Sequence, residues 1–185
     1  MIRKILRSGD PKLREISKPV TKIDLKILEL IRDLKETLAI QKDPEGVGLA
    51  APQIGKSLRV FVANYRDFKK VFINPNILET RASPTTVHGS RTTKNEVLEG
   101  CLSLPNYYGP LKRNQKLRIK YQTLKMANGQ WLMINKIESF SGFNAQIILH
   151  EMDHLNGVLF LDRLLEQKKP LYKLEKDQWE EVELV

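Results

Sequence analysis

His150-Glu151-Met152-Asp153-His154 reads H-E-x-x-H, and its neighbours place it on a helix. Ala145, Ile148, Leu149, Met152 and Leu155 recur at helical spacing, with Ser141-Gly142 before the run and Gly157 after it. Two imidazoles four residues apart lie on one helical face, about one turn apart, and can grip a single metal ion. Glu151 cannot point the same way. It stands beside the ion, where a general base or acid belongs. The chain has 3 histidines, and the third, His88, falls in a polar stretch. A solvated pair of helical histidines is the plain alternative, and the Glu in the second slot argues against it.

Upstream of that helix the pattern is β. Leu117-Arg118-Ile119-Lys120-Tyr121 alternates as a half-buried strand does, and Trp131-Leu132-Met133-Ile134 reads as its partner. Asn128-Gly129 between them is a hairpin turn. Residues 59–63 and 71–73 read as two further strands, and 79–98 as a polar loop carrying Pro84 and Gly89. Nearer the start, Ile23, Ile27, Leu30, Ile31, Leu34 and Leu38 form one apolar stripe at helical spacing, with Thr21 and Asp24 as its N-terminal cap. Gly46-Val47-Gly48-Leu49-Ala50-Ala51-Pro52-Gln53 is built of small residues, so something can approach its backbone closely. The expected fold is α+β: small antiparallel or mixed sheets packed around a central late helix that carries H-E-x-x-H. Residues 1–185 are expected to form a single catalytic domain, with 165–185 as a C-terminal helix or charged tail.

Composition narrows the setting. No apolar run approaches membrane-spanning length, and the charged start Met1-Ile2-Arg3-Lys4-Ile5-Leu6-Arg7 lacks the apolar core of a secretion signal. A cytoplasmic chain with no membrane partner is therefore expected. The 31 Lys and Arg exceed the 22 Asp and Glu, a net charge of +9. That excess favours an anionic partner surface such as RNA, or else serves solubility alone. The basic residues are scattered and no RNA-reading aromatic motif occurs, so no sequence-specific nucleic-acid partner is expected.

A catalytic metal site usually takes three protein ligands and leaves a fourth position for water. The late helix supplies two. Cys101, in Glu99-Gly100-Cys101-Leu102-Ser103, is the only cysteine of the chain, which excludes an internal disulfide. A lone cysteine is either a packed small hydrophobe or a thiolate at work. A thiolate with two imidazoles is a set suited to zinc or ferrous iron.

Three motifs now stand in order: Gly46-Val47-Gly48-Leu49-Ala50-Ala51-Pro52-Gln53, Glu99-Gly100-Cys101-Leu102-Ser103 and His150-Glu151-Met152-Asp153-His154-Leu155. Together they resemble the signature motifs of the peptide deformylases of bacteria. Gly9-Asp10-Pro11-Lys12-Leu13-Arg14, Ile73-Asn74-Pro75 and Asn156-Gly157-Val158-Leu159-Phe160 fit the same family, so the resemblance spans roughly residues 2–165. It implies hydrolysis of the N-formyl group from the formyl-methionine of nascent polypeptides. It implies Cys101, His150 and His154 as metal ligands, with Fe2+ in the cell and Zn2+, Ni2+ or Co2+ as occupants of purified protein. Glu151 would be the general acid/base, and Gln53 with the backbone N–H of Leu102 would hold the formyl oxygen.

The chemistry is ordinary for such a site. An ion can lower the pKa of its bound water from 15.7 to about 7, and the resulting hydroxide attacks the formyl carbon. Gly46, Val47, Gly48 and Leu49 can pair with an extended peptide as an added strand, and Gly100 beside Cys101 permits an unusual backbone turn or close approach. Gln146, one turn before His150, is either a pocket-rim residue or a solvated polar one. Arg113 either binds peptide or pairs with an acid, and Asp153 is expected to support the site rather than ligate. Ribosomes would be a transient partner of such an enzyme.

Leu149 stands where the family commonly has Gln, and Asn106 where Gly is usual. Two other functions share the motif. A zincin-type metallopeptidase also uses H-E-x-x-H but needs a ligand downstream, where Glu166 and later acids are available. A deformylase-like relative acting on another N-formyl compound would keep every motif.

Overall fold

The computed structural model describes residues 1–42, 45–81 and 96–183. Helix α1 spans Leu25–Ala39 and buries Ile27, Leu30, Ile31, Leu34 and Leu38, the stripe seen in the sequence. Its cap is Asp24 itself: the carboxylate accepts from Ile27 N–H at 3.0 Å. Thr21 was expected to share that role. It lies three residues too early to reach the first free amides.

The strands that follow are β1 (Gly48–Ala50), β2 (Val60–Tyr65), β3 (Phe68–Arg81), β4 (Glu96–Cys101), β5 (Leu104–Lys112), β6 (Lys116–Ala127) and β7 (Gln130–Ser141). Helices α2 (Gly142–Leu155) and α3 (Phe160–Glu166) come next, then β8 (Leu171–Glu175) and β9 (Gln178–Val182). They form two sheets, in the orders β1-β2-β3-β6-β7 and β4-β5-β8-β9. Every pair of neighbouring strands is antiparallel. The fold is α+β, as expected, with the late helix inside it.

Local chemistry accounts for the turns. Asn128 and Gly129 both take positive φ (49° and 75°), which a two-residue hairpin with the right twist requires. Asn106 also has positive φ, at 68°. Its short amide side chain tolerates the left-handed region better than most, so it can stand where glycine is usual.

Two expectations need correction. The stretch 79–98 is not wholly loop: Glu79–Arg81 complete β3, and β4 begins at Glu96. Pro84, His88 and Gly89 lie outside the described residues. The C-terminal stretch is not a helix beyond Glu166. It turns at Lys176 and Asp177, both at positive φ, into the β8–β9 hairpin. Tyr172, Leu174 and Trp179 share one face and Leu171 and Val182 the other, with charged residues on both, so no clean two-residue period marked these strands.

Helix α2 packs against the five-stranded sheet. Ala145, Ile148, Met152 and Leu155 bury against Phe61, Phe72, Leu117, Ile119 and Tyr121. Each such large apolar side chain contributes about 1.5–3 kcal/mol when fully buried. Its other side is equally buried but polar: Gln146, His150, Glu151, Asp153 and His154 are all shielded from solvent. Buried polar groups must be paired or must have work to do. Gly157 ends the run at φ 72°, and any Cβ there would strike the backbone of Arg14. No helix among the described residues is long and apolar enough to cross a membrane.

Candidate active site

The second sheet brings the end of β4 against the polar side of α2. Cys101 Sγ lies 3.2 Å from His154 Nε2. One donor atom from each of Cys101, His150 and His154 falls within 4.8 Å of the others. That spacing fits three ligands of one divalent ion. Burial alone would raise the Cys101 thiol, but the two imidazoles hold it well below its ordinary range. The same pairing raises His150 well above the usual histidine value against its own burial. A buried thiolate beside two imidazoles is a soft, electron-rich donor set, and a cation takes the place of their protons.

Around the trio the chain orients each ligand. His150 Nδ1 sits 2.8 Å from Glu99 Oε1, so the imidazole donates there and turns Nε2 to the site. Glu99 also accepts from Arg113 Nε and Nη2 at 3.0 and 2.6 Å, and from Gln146 Nε2 at 3.3 Å. Burial would raise the Glu99 carboxyl. His150 and Arg113 reverse that and keep it ionised, far below its ordinary value. Arg113 Nη1 continues to Asp153 Oδ2 at 2.6 Å, and Arg163 Nη2 reaches Asp153 Oδ1 at 2.7 Å. Arg113 therefore pairs with acids, and Asp153 braces the helix from behind the ligands. Glu99 was not singled out from the sequence. Its signal was a carboxylate two residues before the only cysteine.

Gln53 sits in the short 3-10 turn Ala51–Ile54, buried. Its Oε1 accepts from Ala50 N–H at 2.8 Å, which leaves Nε2 facing Cys101 Sγ at 3.6 Å and Ser103 Oγ at 3.3 Å. Leu102 occupies the turn between β4 and β5.

A cavity of about 300 Å³ opens over these groups. Val47, Gly48, Gln53, Gly100, Leu102, Gln146 and Glu151 line it with Cys101 and His150. Tyr65, Leu98, Tyr108, Phe143 and Ile147 supply an apolar wall. Gln146 is buried rather than solvated. Gly46 and Leu49 are not in the wall. Leu49 is fully buried beneath α1, and Gly46 packs on Leu38 and Gln41.

Gly48 earns its place sterically: any Cβ there would run into the Glu151 carboxylate. That carboxylate is pushed up to about 7, chiefly by burial. Its Oε2 has no hydrogen-bond partner among the described residues. A buried carboxyl with a free oxygen and a pKa near neutrality is poised to exchange a proton.

Residues 2–170 match the family model for polypeptide deformylase. The peptide deformylase of Dictyoglomus thermophilum is 41% identical over 167 residues, which are 90% of this chain and 95% of that one. The crystal structure of the Thermotoga maritima peptide deformylase superposes with a TM-score of 0.69 at 37% identity, covering 88% of this chain and 97% of that one. A Met-Ala-Ser-bound peptide deformylase from Acinetobacter baumannii gives 0.71 at 30% identity, covering 88% and 98%. A thiolate and two imidazoles beside a buried carboxylate, on this fold and at these identities, have one reading: the chain belongs to the polypeptide deformylase family.

Proposed function

We propose that this chain removes the formyl group from the N-terminal formyl-methionine of newly made polypeptides. The observation that carries the reading is the Cys101–His150–His154 trio beside Glu151, in a cavity between the ends of two sheets. When bound there, a divalent ion supplies a Lewis acid for the formyl carbonyl and acidifies a water. Fe2+ is the ion proposed in the cell, with Zn2+, Ni2+ or Co2+ able to occupy the purified protein.

The remaining steps fall to the chain. Glu151 takes the proton of the attacking water and later returns it to the leaving amine. Gln53 Nε2 and the Leu102 N–H face the oxygen on which charge develops. Losing one such donor costs about 2.7–4 kcal/mol of transition-state stabilisation. The methionine side chain takes the apolar wall of Tyr65, Phe143 and Ile147, with Gln146 at its polar margin.

The peptide backbone runs between β1 and β4. Among the described residues each is the last strand of its sheet, so each offers a side to an added strand. Val47 and Gly48 serve from one side and Gly100 from the other. Main-chain pairing of this kind gives affinity without reading sequence, as an enzyme for all nascent chains requires.

The peptidase reading loses its ligand. Glu166 is exposed and pairs with Arg163 at 2.9 Å. Among the described residues, Cys101, His150 and His154 are the cluster able to hold an ion.

The test is an anaerobic assay of the iron-loaded protein on a formyl-Met peptide, with the acetyl-Met peptide as control. Formate release from the first alone is expected, and none from either would overturn the reading. A single catalytic domain working in the cytoplasm, visiting ribosomes transiently through its positive charge, completes the proposal. Co-sedimentation with ribosomes should weaken steeply with salt.

A further inference from the structure

We infer that Trp179, on the C-terminal hairpin, is a positioning residue for the peptide site: it holds the Tyr108 ring over Gly100. This rests on the reaction proposed above. The family match ends at residue 170, and the β8–β9 hairpin lies beyond it.

The register of the second sheet makes the connection. Tyr108 on β5 stands opposite Gly100 on β4 and opposite Tyr172 on β8. Tyr172 stands opposite Glu181 on β9. Directly paired residues share a face, and Trp179, two residues from Glu181, falls on that face too. The Trp179 ring meets Tyr108 edge-on, with centroids 5.4 Å apart and planes at 72°. On its other side, the Tyr108 ring lies where a Gly100 side chain would be. A Cβ on Gly100 would come within 2.7 Å of it. Tyr108 and Gly100 both line the cavity.

Trp179 keeps 51% of its surface in solvent, so burial is not what its ring is for. A tyrosine on a strand has two common side-chain directions. Edge-to-face contact with Trp179 favours the one that closes the cavity wall. Tyr108 lines the cavity and is not one of the ligand trio, so its position bears on peptide binding and not on proton transfer.

The experiment measures kcat and KM of the iron-loaded full chain on formyl-Met-Ala-Ser for Trp179→Ala, Trp179→Phe, Tyr108→Leu and the Trp179→Ala/Tyr108→Leu pair. Trp179→Ala should raise KM about three- to ten-fold, the range of one aromatic edge contact, with kcat held within about two-fold. Trp179→Phe should restore most of the loss. In the Tyr108→Leu background, Trp179→Ala should change nothing further. Should Trp179→Ala fail to fold, Trp179→Leu keeps the bulk without the ring edge and must show the same rise in KM. An unmoved KM, a fall in kcat alone, or an equal rise in both backgrounds would overturn the inference. If the wild type releases no formate, the proposed reaction fails and takes this inference with it. An active wild type with unmoved KM in the variants overturns this one alone.

Discussion

Glu99 Oε1 lies 2.8 Å from His150 Nδ1, so the second sheet grips a metal-ligand side chain of the helix through a carboxylate. Substituting Glu99→Gln removes the charge that fixes this imidazole and that balances buried Arg113. Such supporting partners are typically worth roughly 10–100-fold in metal affinity. Competition against a chelator should show a loss of that size. Wild-type affinity in the variant would contradict it.

The same carboxylate sets an acid limit on the metal-free protein. Its folded pKa is depressed, so the unfolded chain binds the proton more readily. The stabilisation is complete above the ordinary carboxylate value of about 4.5 and is lost as pH falls below it. Thermal melts of the stripped protein should decline under acid below that value, while Glu151, raised to about 7, acts the other way between the two values. In Glu99→Gln the decline should be shallower.

Glu151 governs activity from the other direction. Burial raises it to about 7, so the ionised base accumulates as pH rises through that value. A bound cation pulls the value down. The acid limb of kcat/KM should therefore fall at or below pH 7, and a limb above 7 would speak against Glu151 as the base. Glu151→Gln should lower kcat by about 10²–10⁴ while the protein keeps its metal.

Gly48→Ala tests geometry rather than chemistry. The added methyl must displace the Glu151 carboxylate. A shift of about 1 Å in a catalytic group can cost 10²-fold. Activity should fall on that order while metal content stays whole, since no ligand moves. An active Gly48→Ala enzyme would show that Glu151 has room to spare.

Ion removal should be felt by the whole fold. Cys101 comes from one sheet, and His150 and His154 from the helix packed on the other. At 100 times Kd, a ligand that binds only the folded state adds about 2.7 kcal/mol. Chelation should lower Tm and restored ion should raise it, while Cys101→Ala should show neither response.

The fold was legible where periodicity was strong. The α1 stripe, the Asn128-Gly129 hairpin and the H-E-x-x-H helix all appear where the pattern puts them. The β8–β9 hairpin was not legible, because charged side chains on both of its faces blur a short alternation. In the site, ligands announce themselves by residue type and spacing. The Glu99–Arg113–Asp153 chain does not: its members lie 14 and 40 residues apart, and only the packed fold makes them neighbours. Leu49 shows that the role of a side chain and that of its backbone are separate. A motif marks a stretch of backbone, yet alternate side chains of a strand face opposite ways, and this one went to the core.

The open sides of β1 and β4 have a consequence for what the enzyme can be asked to do. On the binding mode proposed above, a groove that pairs with main chain poses the same question to every polypeptide, whatever its gene encodes. Discrimination is then concentrated at the first residue, and the rest of the proteome passes as one substrate. The liability of exposed strand edges is contained by brevity: β1 is only 3 residues long, too short a template for another chain to build on. Generality and restraint are thus two aspects of one short edge.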